Sequence, residues 1–304
     1  MATYPTSRRW STRGRMMGAH KRRPVVRYHG GKWRIAKWIT SHFPVHRAYV
    51  EPFGGAASVL LQKEPATAEC YNDLDSTIYD LFRVLRDPIM SNELQQLLVR
   101  TPFAREEFDA AYEPTDDIVE AARRTIVRSF MGYGSDGTAG EYKTGFRRTV
   151  TAASKFPSRE WENYPTALST TIARLRSVVI ENIDAIELMR GLDSPETLFY
   201  VDPPYHPETR SKGNRRRGAG FHVYKHEMTI EDHASLLEFL TGVDGMVVLS
   251  GYPHETYDAA LTGWTRVTKD AWADGGRPRV ECLWLNPAAA ANQPERPQFF
   301  GDDN

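Results

Sequence analysis

The sequence predicts an α/β fold: a mainly parallel sheet interrupted by one helical insertion. Three observations predict it. Short strand-like runs alternate with helical periodicity in the first third and the last third of the chain, and the middle third shows helical periodicity alone. The strand-like runs end in Gly-, Pro- or Asp-containing turns that lead into helices instead of tight hairpins. At 304 residues, 40% hydrophobic and 26% charged, the chain is long and apolar enough for a full core, which excludes a largely disordered protein. No apolar run approaches bilayer length and the first residues lack the apolar core of a signal peptide, so a cytoplasmic protein with no membrane association is expected.

The elements follow in order. Residues 1–24 are polar, Arg-rich and aperiodic, and read as a flexible basic tail. A strand over 46–50 runs into the small residues Gly54, Gly55 and Ala56, which open an apolar helical stretch through Leu61. A second strand over 68–71 ends in Asn72-Asp73-Leu74-Asp75 and is followed by a helix over 78–85, the rhythm of a parallel sheet. Residues 87–175 then read as helices at 93–99, 106–112 and 118–131, with a mobile Gly-rich loop over 132–148. Strands return at 178–180, 197–201, 245–250, 265–268 and 280–285, with a helix over 230–240. Residues 25–86 and 176–290 therefore form one sheet domain, 87–175 a helical domain inserted in it, and 291–304 a tail.

Charge is unevenly placed. The formal net charge is zero, yet residues 1–23 carry seven Lys or Arg and no acid. Residues 206–225 carry six, among them Arg210, Lys212, Arg215, Arg216 and Arg217, against the single acid Glu208. Outside these segments acids outnumber bases by 38 to 26. Such cationic stretches either sit on phosphates or remain solvated arms. The two cysteines, Cys70 and Cys282, form no CxxC pair and have no His at zinc-ligand spacing, so buried reduced thiols are expected and no metal site.

The sharpest chemical signal is Leu198-Phe199-Tyr200-Val201-Asp202-Pro203-Pro204-Tyr205, an apolar strand ending in an acid, two prolines and an aromatic ring. Ligands of open parallel sheets sit beyond the carboxyl ends of the strands, where this tetrapeptide falls. An exocyclic base amine is a poor nucleophile, because its lone pair is delocalised into the ring; acceptors must hold its N–H groups while it attacks a methyl donor. Asp202 offers a carboxylate and Pro203 a carbonyl on a rigid turn. Tyr205 offers a stacking face to a base extruded from a duplex. Taken alone, Asp-Pro is also a common turn former.

A second signal is Val50-Glu51-Pro52-Phe53-Gly54-Gly55-Ala56, where glycines let the backbone approach a ligand closely. Its spacing is not that of a pyrophosphate site, and no P-loop lysine follows, which suits a nucleoside-like cofactor without phosphate such as S-adenosylmethionine. Asp73, one strand later, stands where an acid can accept from ribose hydroxyls, and Asp75 is the weaker candidate. Asp184, with Ile183, ends a further strand and can meet the cofactor's adenine; acids at such positions also serve as helix caps.

With these motifs in this order, the chain resembles the Dam-like (class alpha) adenine-N6 DNA methyltransferases of prokaryotes and phages over most of residues 27–286. Arg27-Tyr28-His29-Gly30-Gly31-Lys32 is similar to the family's first cofactor motif, 49–56 to its Phe-x-Gly-type motif, Asn72-Asp73 to its ribose-binding acid and Asp202–Tyr205 to its catalytic tetrapeptide. Residues 281–286 resemble its closing strand. The resemblance implies a Rossmann-like S-adenosylmethionine-dependent sheet with an inserted helical target-recognition domain, acting on an adenine flipped from double-stranded DNA. It implies catalysis at Asp202, Pro203, Pro204 and Tyr205. It implies cofactor contacts from Tyr28, Gly30, Gly31, Lys32, Glu51, Pro52, Phe53, Gly54, Gly55, Ala56, Asp73, Ile183, Asp184 and Asp202. DNA contacts are expected from Arg128, Tyr133, Lys143, Arg147 and Arg148 in the middle region and from Arg210, Lys212, Arg215, Arg216 and Arg217 after Tyr205. Cytosine-C5 chemistry would need a thiol nucleophile beside the base, for which neither cysteine is placed. Methylation of a cytosine N4 or RNA amine, and a DNA-binding relative without turnover, are the alternatives; monomer and dimer are both open.

Overall fold

A computed structural model of the chain describes residues 23–134, 143–148, 156–209, 226–272 and 278–294. The basic segments 1–22 and 210–225 and the end 295–304 lie outside the described residues, so neither the expected tails nor Arg210, Lys212, Arg215, Arg216 and Arg217 enter the structural description.

Seven strands form one sheet: β1 Ala48–Glu51, β2 Ala68–Asn72, β3 Val178–Glu181, β4 Thr197–Val201, β5 Met246–Gly251, β6 Thr265–Trp272 and β7 Pro278–Leu285. Their order is β3-β2-β1-β4-β5-β7-β6. The first five are parallel, while β7 runs antiparallel to β5 and pairs with β6 as an antiparallel ribbon. Every predicted strand is present, and the last two are longer than their apolar runs because the ladder continues through Asp270↔Val280 and Trp272↔Pro278, polar and proline-containing pairs that periodicity does not flag.

The period of two decides which side chain goes to which face. In β4, Leu198 and Tyr200 join one apolar cluster while Phe199 and Val201 join the other; in β5, Met246 and Val248 divide from Val247 and Leu249 in the same way. Helices α8 Ala185–Leu192, α9 Ile230–Thr241 and α10 Glu255–Ala260 cover the second face through Leu188, Leu236, Leu240 and Tyr257. The first face is covered by α1 Ala36–Thr40, α2 Ser76–Arg86, α3 Pro88–Arg100, α4 Arg105–Ala110, α5 Ile118–Met131, α6 Pro157–Glu162 and α7 Tyr164–Leu175. The helical insertion does not carry a core of its own: Leu94, Phe108, Ile126, Phe130, Trp161 and Leu168 belong to the same cluster as Tyr49 and Tyr200 of the sheet. A buried ion triad adds a tie, since Arg174 of α7 and Lys63 both bind Glu69 of β2. A buried pair of this kind holds relative position more than it adds stability, because desolvation offsets much of its attraction.

One expected helix is absent. Residues 55–62 form hydrogen-bonded turns, not an α-helix. Gly55 (φ 48°) and Ala57 (φ 50°) adopt the left-handed conformation, which breaks the helical ladder, and the Leu60 N–H is taken by the Glu51 carboxylate at 2.7 Å.

Candidate active site

The carboxyl ends of the central strands surround a cleft of about 510 Å³. Its rim at one side is the turn carrying Tyr28, Gly30, Gly31 and Lys32; Gly30 takes φ 73° and Gly31 N donates to Tyr28 O. The floor is the β1 end, Glu51 through Ala56. Asp73 and Asp184 stand opposite, and the segment from Asp202 to Tyr205 closes the far side. Of the expected catalytic and cofactor residues only Ile183 does not line the cleft; its backbone is held instead by the Asn72 side chain, which accepts from Ile183 N and donates to Ile183 O and Pro52 O. Asn72 thus fixes the ends of β1, β2 and β3 to one another.

Glycine is required at 54 because a Cβ would fall 2.1 Å from Cε2 of the Tyr71 ring, which is itself buried, stacked on Phe82 and hydrogen-bonded to Gly55 O. At 55 the positive φ and the Tyr28 ring, 3.0 Å from the position of a Cβ, impose the same choice. The cleft floor is therefore backbone, with an aromatic ring on either side.

Five acids from the strand ends stand around the cleft. Glu51 Oε1 accepts from the Tyr49 hydroxyl and Leu60 N, yet burial pushes its carboxyl up to about 8. Asp73 accepts from Gly55 N at 2.7 Å and Asp75 N at 2.8 Å, and burial still pushes it up to about 6 against those bonds. Asp184 is more exposed and is the N-cap of α8, accepting from Ile186 N and Glu187 N. Asp75, the weaker ribose candidate, is the N-cap of α2. Asp202 Oδ2 is 2.9 Å from Lys32 Nζ, and its Oδ1 is buried with no hydrogen-bond partner of normal geometry. Burial raises the Asp202 carboxyl, while Lys32 and the Ser250 hydroxyl hold it down. Lys32 also donates to Gly30 O and lies 4.6 Å from the Tyr205 ring centroid, so one buried lysine joins the first motif to the tetrapeptide.

Several neighbours of this site carry no signal in the sequence. Tyr252, two residues past Ser250, packs on Tyr205 with centroids 4.2 Å apart, and the Arg279 guanidinium lies 4.8 Å from the Tyr252 centroid. Glu281 is buried beside them, 3.3 Å from the Tyr205 hydroxyl, and burial pushes its carboxyl up. Met228 and Leu236 add an apolar wall from the α9 side. His206, Glu208 and His254 bring ligand-type atoms within 4.8 Å of one another. His254 Nδ1 accepts the Thr256 N–H as the cap of α10, which puts the ring proton on Nε2 facing Glu208 at 3.0 Å and leaves no lone pair there for a metal.

The five expected DNA contacts of the middle region diverge. Arg128 donates to Ala111 O and Thr125 Oγ1, and Arg147 to Phe130 O and Glu160, so both guanidiniums are turned into the protein. Tyr133 and Lys143 are half exposed, the latter paired with Asp109 at 2.9 Å, and Arg148 is exposed. The Cys70 thiol is pushed up to about 12 by burial, and the buried Cys282 is also raised.

The sheet order with its antiparallel seventh strand, and a glycine-floored acidic cleft at the parallel strand ends, define a Rossmann-like methyltransferase fold. The chain belongs to the family of D12 class N6 adenine-specific DNA methyltransferases, whose sequence pattern it matches over residues 28–257. It is similar to the DNA adenine methylase of Escherichia coli (strain K12), 26% identical over 287 residues that cover 86% of this chain and 94% of that protein. The DNA adenine methylase of Salmonella typhi is 24% identical over 284 residues, with the same coverage. Among the described residues no helix is long and apolar enough to cross a membrane.

Proposed function

We propose that the chain transfers the methyl group of S-adenosyl-L-methionine to the N6 amine of an adenine extruded from double-stranded DNA, and that Asp202 is the group that holds this amine. The observation that carries the reading is Asp202 itself: Oδ2 is pinned by Lys32 and the carboxyl is buried, with Ser250 the other group that holds it down, at the end of β4 in the same cleft as the glycine floor. A buried carboxylate with acceptor capacity to spare gains from a ligand donor.

The cleft suits this cofactor on chemical grounds. Among the described residues Glu51, Asp73, Asp75, Asp184, Asp202, Glu227 and Asp232 line it, and the one lysine, Lys32, is already engaged with Asp202. Such a lining repels phosphate and favours a ligand with cationic and hydroxyl-bearing ends. When bound, S-adenosyl-L-methionine supplies an electrophilic methyl carbon on a sulfonium. Glu51 would face the cationic end, Asp73 would accept from ribose hydroxyls, and Gly54 and Gly55 would admit the ligand against backbone. Asp202 Oδ1 and the Pro203 carbonyl would accept the two N–H groups of the adenine amine, aligning the nitrogen lone pair for in-line displacement, in which the N–C bond forms as the methyl–sulfur bond breaks and sulfur leaves as a neutral thioether. The nitrogen must then shed a proton, and the Asp202 carboxylate, raised by burial, can take it. Tyr205 offsets part of the stacking that the base gives up on extrusion.

For DNA contact the reading favours Tyr133, Lys143 and Arg148 over the inward-facing Arg128 and Arg147, together with the cationic segment after Tyr205. Nucleoside mass spectrometry of plasmid incubated with the protein and S-adenosyl-L-methionine tests the whole assignment. N6-methyladenine is the expected product; N4-methylcytosine, or no methylated base from folded protein, overturns it.

A further inference from the structure

A second, more open cleft of about 890 Å³ lies beside the first, lined among others by Tyr252, His254, Asp270, Pro278 and Arg279. Tyr205 lines the first cleft and Tyr252 the second, and the two rings, in contact at an interplanar angle of 42°, stand between them. An acceptor that approaches Asp202 from the second side meets this ring pair. We infer that Tyr252, braced by Arg279, is the second aromatic wall of the acceptor site, and that the target adenine is held between the Tyr205 and Tyr252 rings. This rests on the function proposed above.

The rings are too close for a base in the described arrangement. Their centroids are 4.2 Å apart, and a planar base between two rings needs about 7 Å, two carbon contacts of about 3.5 Å each. One ring must therefore withdraw, and the bracing differs between them. Tyr205 follows two prolines, is held at its hydroxyl by Glu281, and has Lys32 against its ring. Tyr252 sits in the short link between Gly251, where β5 ends, and the His254 cap of α10, with the Arg279 guanidinium over its ring. Arg279 and Glu281 are two apart in β7, hence on one face of the strand, so a single strand braces both rings: a carboxylate at the hydroxyl of Tyr205 and a guanidinium on Tyr252. The Arg279 cation is attracted to the Tyr252 ring face and braces it without a covalent or main-chain tie. When the pair opens, each ring exchanges a tilted aromatic contact for one face of the base.

Steady-state kinetics on plasmid DNA for wild type, Tyr252→Phe, Tyr252→Ala, Tyr252→Leu and Arg279→Met, with calorimetric cofactor affinity for each, tests the clamp. Tyr252→Ala and Tyr252→Leu should lower kcat/KM for DNA by roughly 5- to 150-fold, the range set by loss of one base stack, with cofactor affinity unmoved. Tyr252→Phe should retain wild-type behaviour, and Arg279→Met should fall between. With 2-aminopurine at the mapped target position, fluorescence should stay quenched in wild type and rise in the Leu and Ala variants, where one stacking face is gone. Unchanged kcat/KM in the Leu variant and in Arg279→Met, or failure of Phe to restore what Ala loses, overturns the clamp. Wild type that methylates adenine while the Tyr252 variants are indifferent refutes the clamp alone, whereas wild type that methylates no DNA refutes the underlying function; should the Ala variant fail to fold, the Leu and Arg279 variants carry the test.

Discussion

Glu51 offers a prediction whose sign and size follow from its surroundings. It ends β1 inside the core, 2% exposed, with Oε1 receiving the Tyr49 hydroxyl at 2.6 Å and Leu60 N at 2.7 Å. Burial outweighs these bonds and the nearby Lys63, and Asp202 adds repulsion, so the carboxyl titrates at about 8. In the free protein at pH 7 Glu51 is therefore mostly protonated. If its partner is the ammonium of S-adenosyl-L-methionine, binding requires the carboxylate and releases one proton. Affinity should then rise about tenfold per pH unit from 6 towards 8 and turn over near pH 8, where an α-amino group of pKa about 7.7–8.0 begins to lose its own proton. Glu51→Gln should bind more weakly at pH 8 and lose the slope below it. Stability supplies an independent check. The folded pKa lies above the unfolded value, the native state holds more protons between about 4.5 and 8, and the wild type loses stability as pH rises through that window. The Gln variant should lose less, keeping only the part that the raised Asp73 and Asp202 carboxyls supply. Calorimetry at pH 7 in buffers of contrasting ionisation enthalpy reads the released proton directly; equal proton release and equal pH slopes in wild type and Glu51→Gln would refute the assignment.

Three further outcomes are expected. Gly54→Ala drives a methyl group into the Tyr71 ring and threatens the Tyr71–Gly55 hydrogen bond, so urea unfolding should show a loss of about 2–4 kcal/mol that largely disappears in a Tyr71→Ala background; the same cost in both backgrounds would count against the steric reading. Asp202→Ala should abolish turnover while cofactor affinity changes little, and a variant turning over at the wild-type rate would remove Asp202 from the chemistry. Replacing Arg215, Arg216 and Arg217, which lie outside the described residues, with Ser should weaken cognate and non-cognate DNA alike and flatten the salt dependence by up to about 0.9 log units for each phosphate no longer neutralised; identical slopes would leave the segment a solvated loop.

The sheet was legible because parallel strands buried on both faces are dense apolar runs, and Leu198-Phe199-Tyr200-Val201 and Met246-Val247-Val248-Leu249 can hardly be anything else. The turn region after Gly54 was not, since Val59-Leu60-Leu61 has helical content and only the tertiary bond from Glu51 to Leu60 N, with left-handed Ala57, diverts it. Nor was the sharing of one core between sheet and insertion: periodicity reports that Phe108 and Ile126 are buried, not against what. Charge type misleads in the same way. Arg128 and Arg147 are basic residues in the expected region, but the carbonyls of Ala111 and Phe130, which only the fold brings near, take their guanidiniums inward.

The acidic half of the site was readable for a reason specific to parallel sheets. Asp184, Asp73, Glu51 and Asp202 follow or end β3, β2, β1 and β4, four strands adjacent in the sheet, so an acid after a strand in the sequence becomes a carboxylate on one common rim in space. Tyr205 was readable in the same way, but its neighbours were hidden, because Arg279 and Glu281 approach Tyr252 and Tyr205 from the antiparallel ribbon, and no local pattern announces which loop a ribbon will cross. The rim has a physical consequence of its own. Burial raises the cost of ionising Glu51, Asp73 and Asp202, with repulsion from Asp202 added at Glu51 and from Asp75 at Asp73. A cationic ligand would relieve that cost at several groups at once, so the feature that weakens the free protein at alkaline pH is the one that would favour a cationic ligand over an anionic nucleotide.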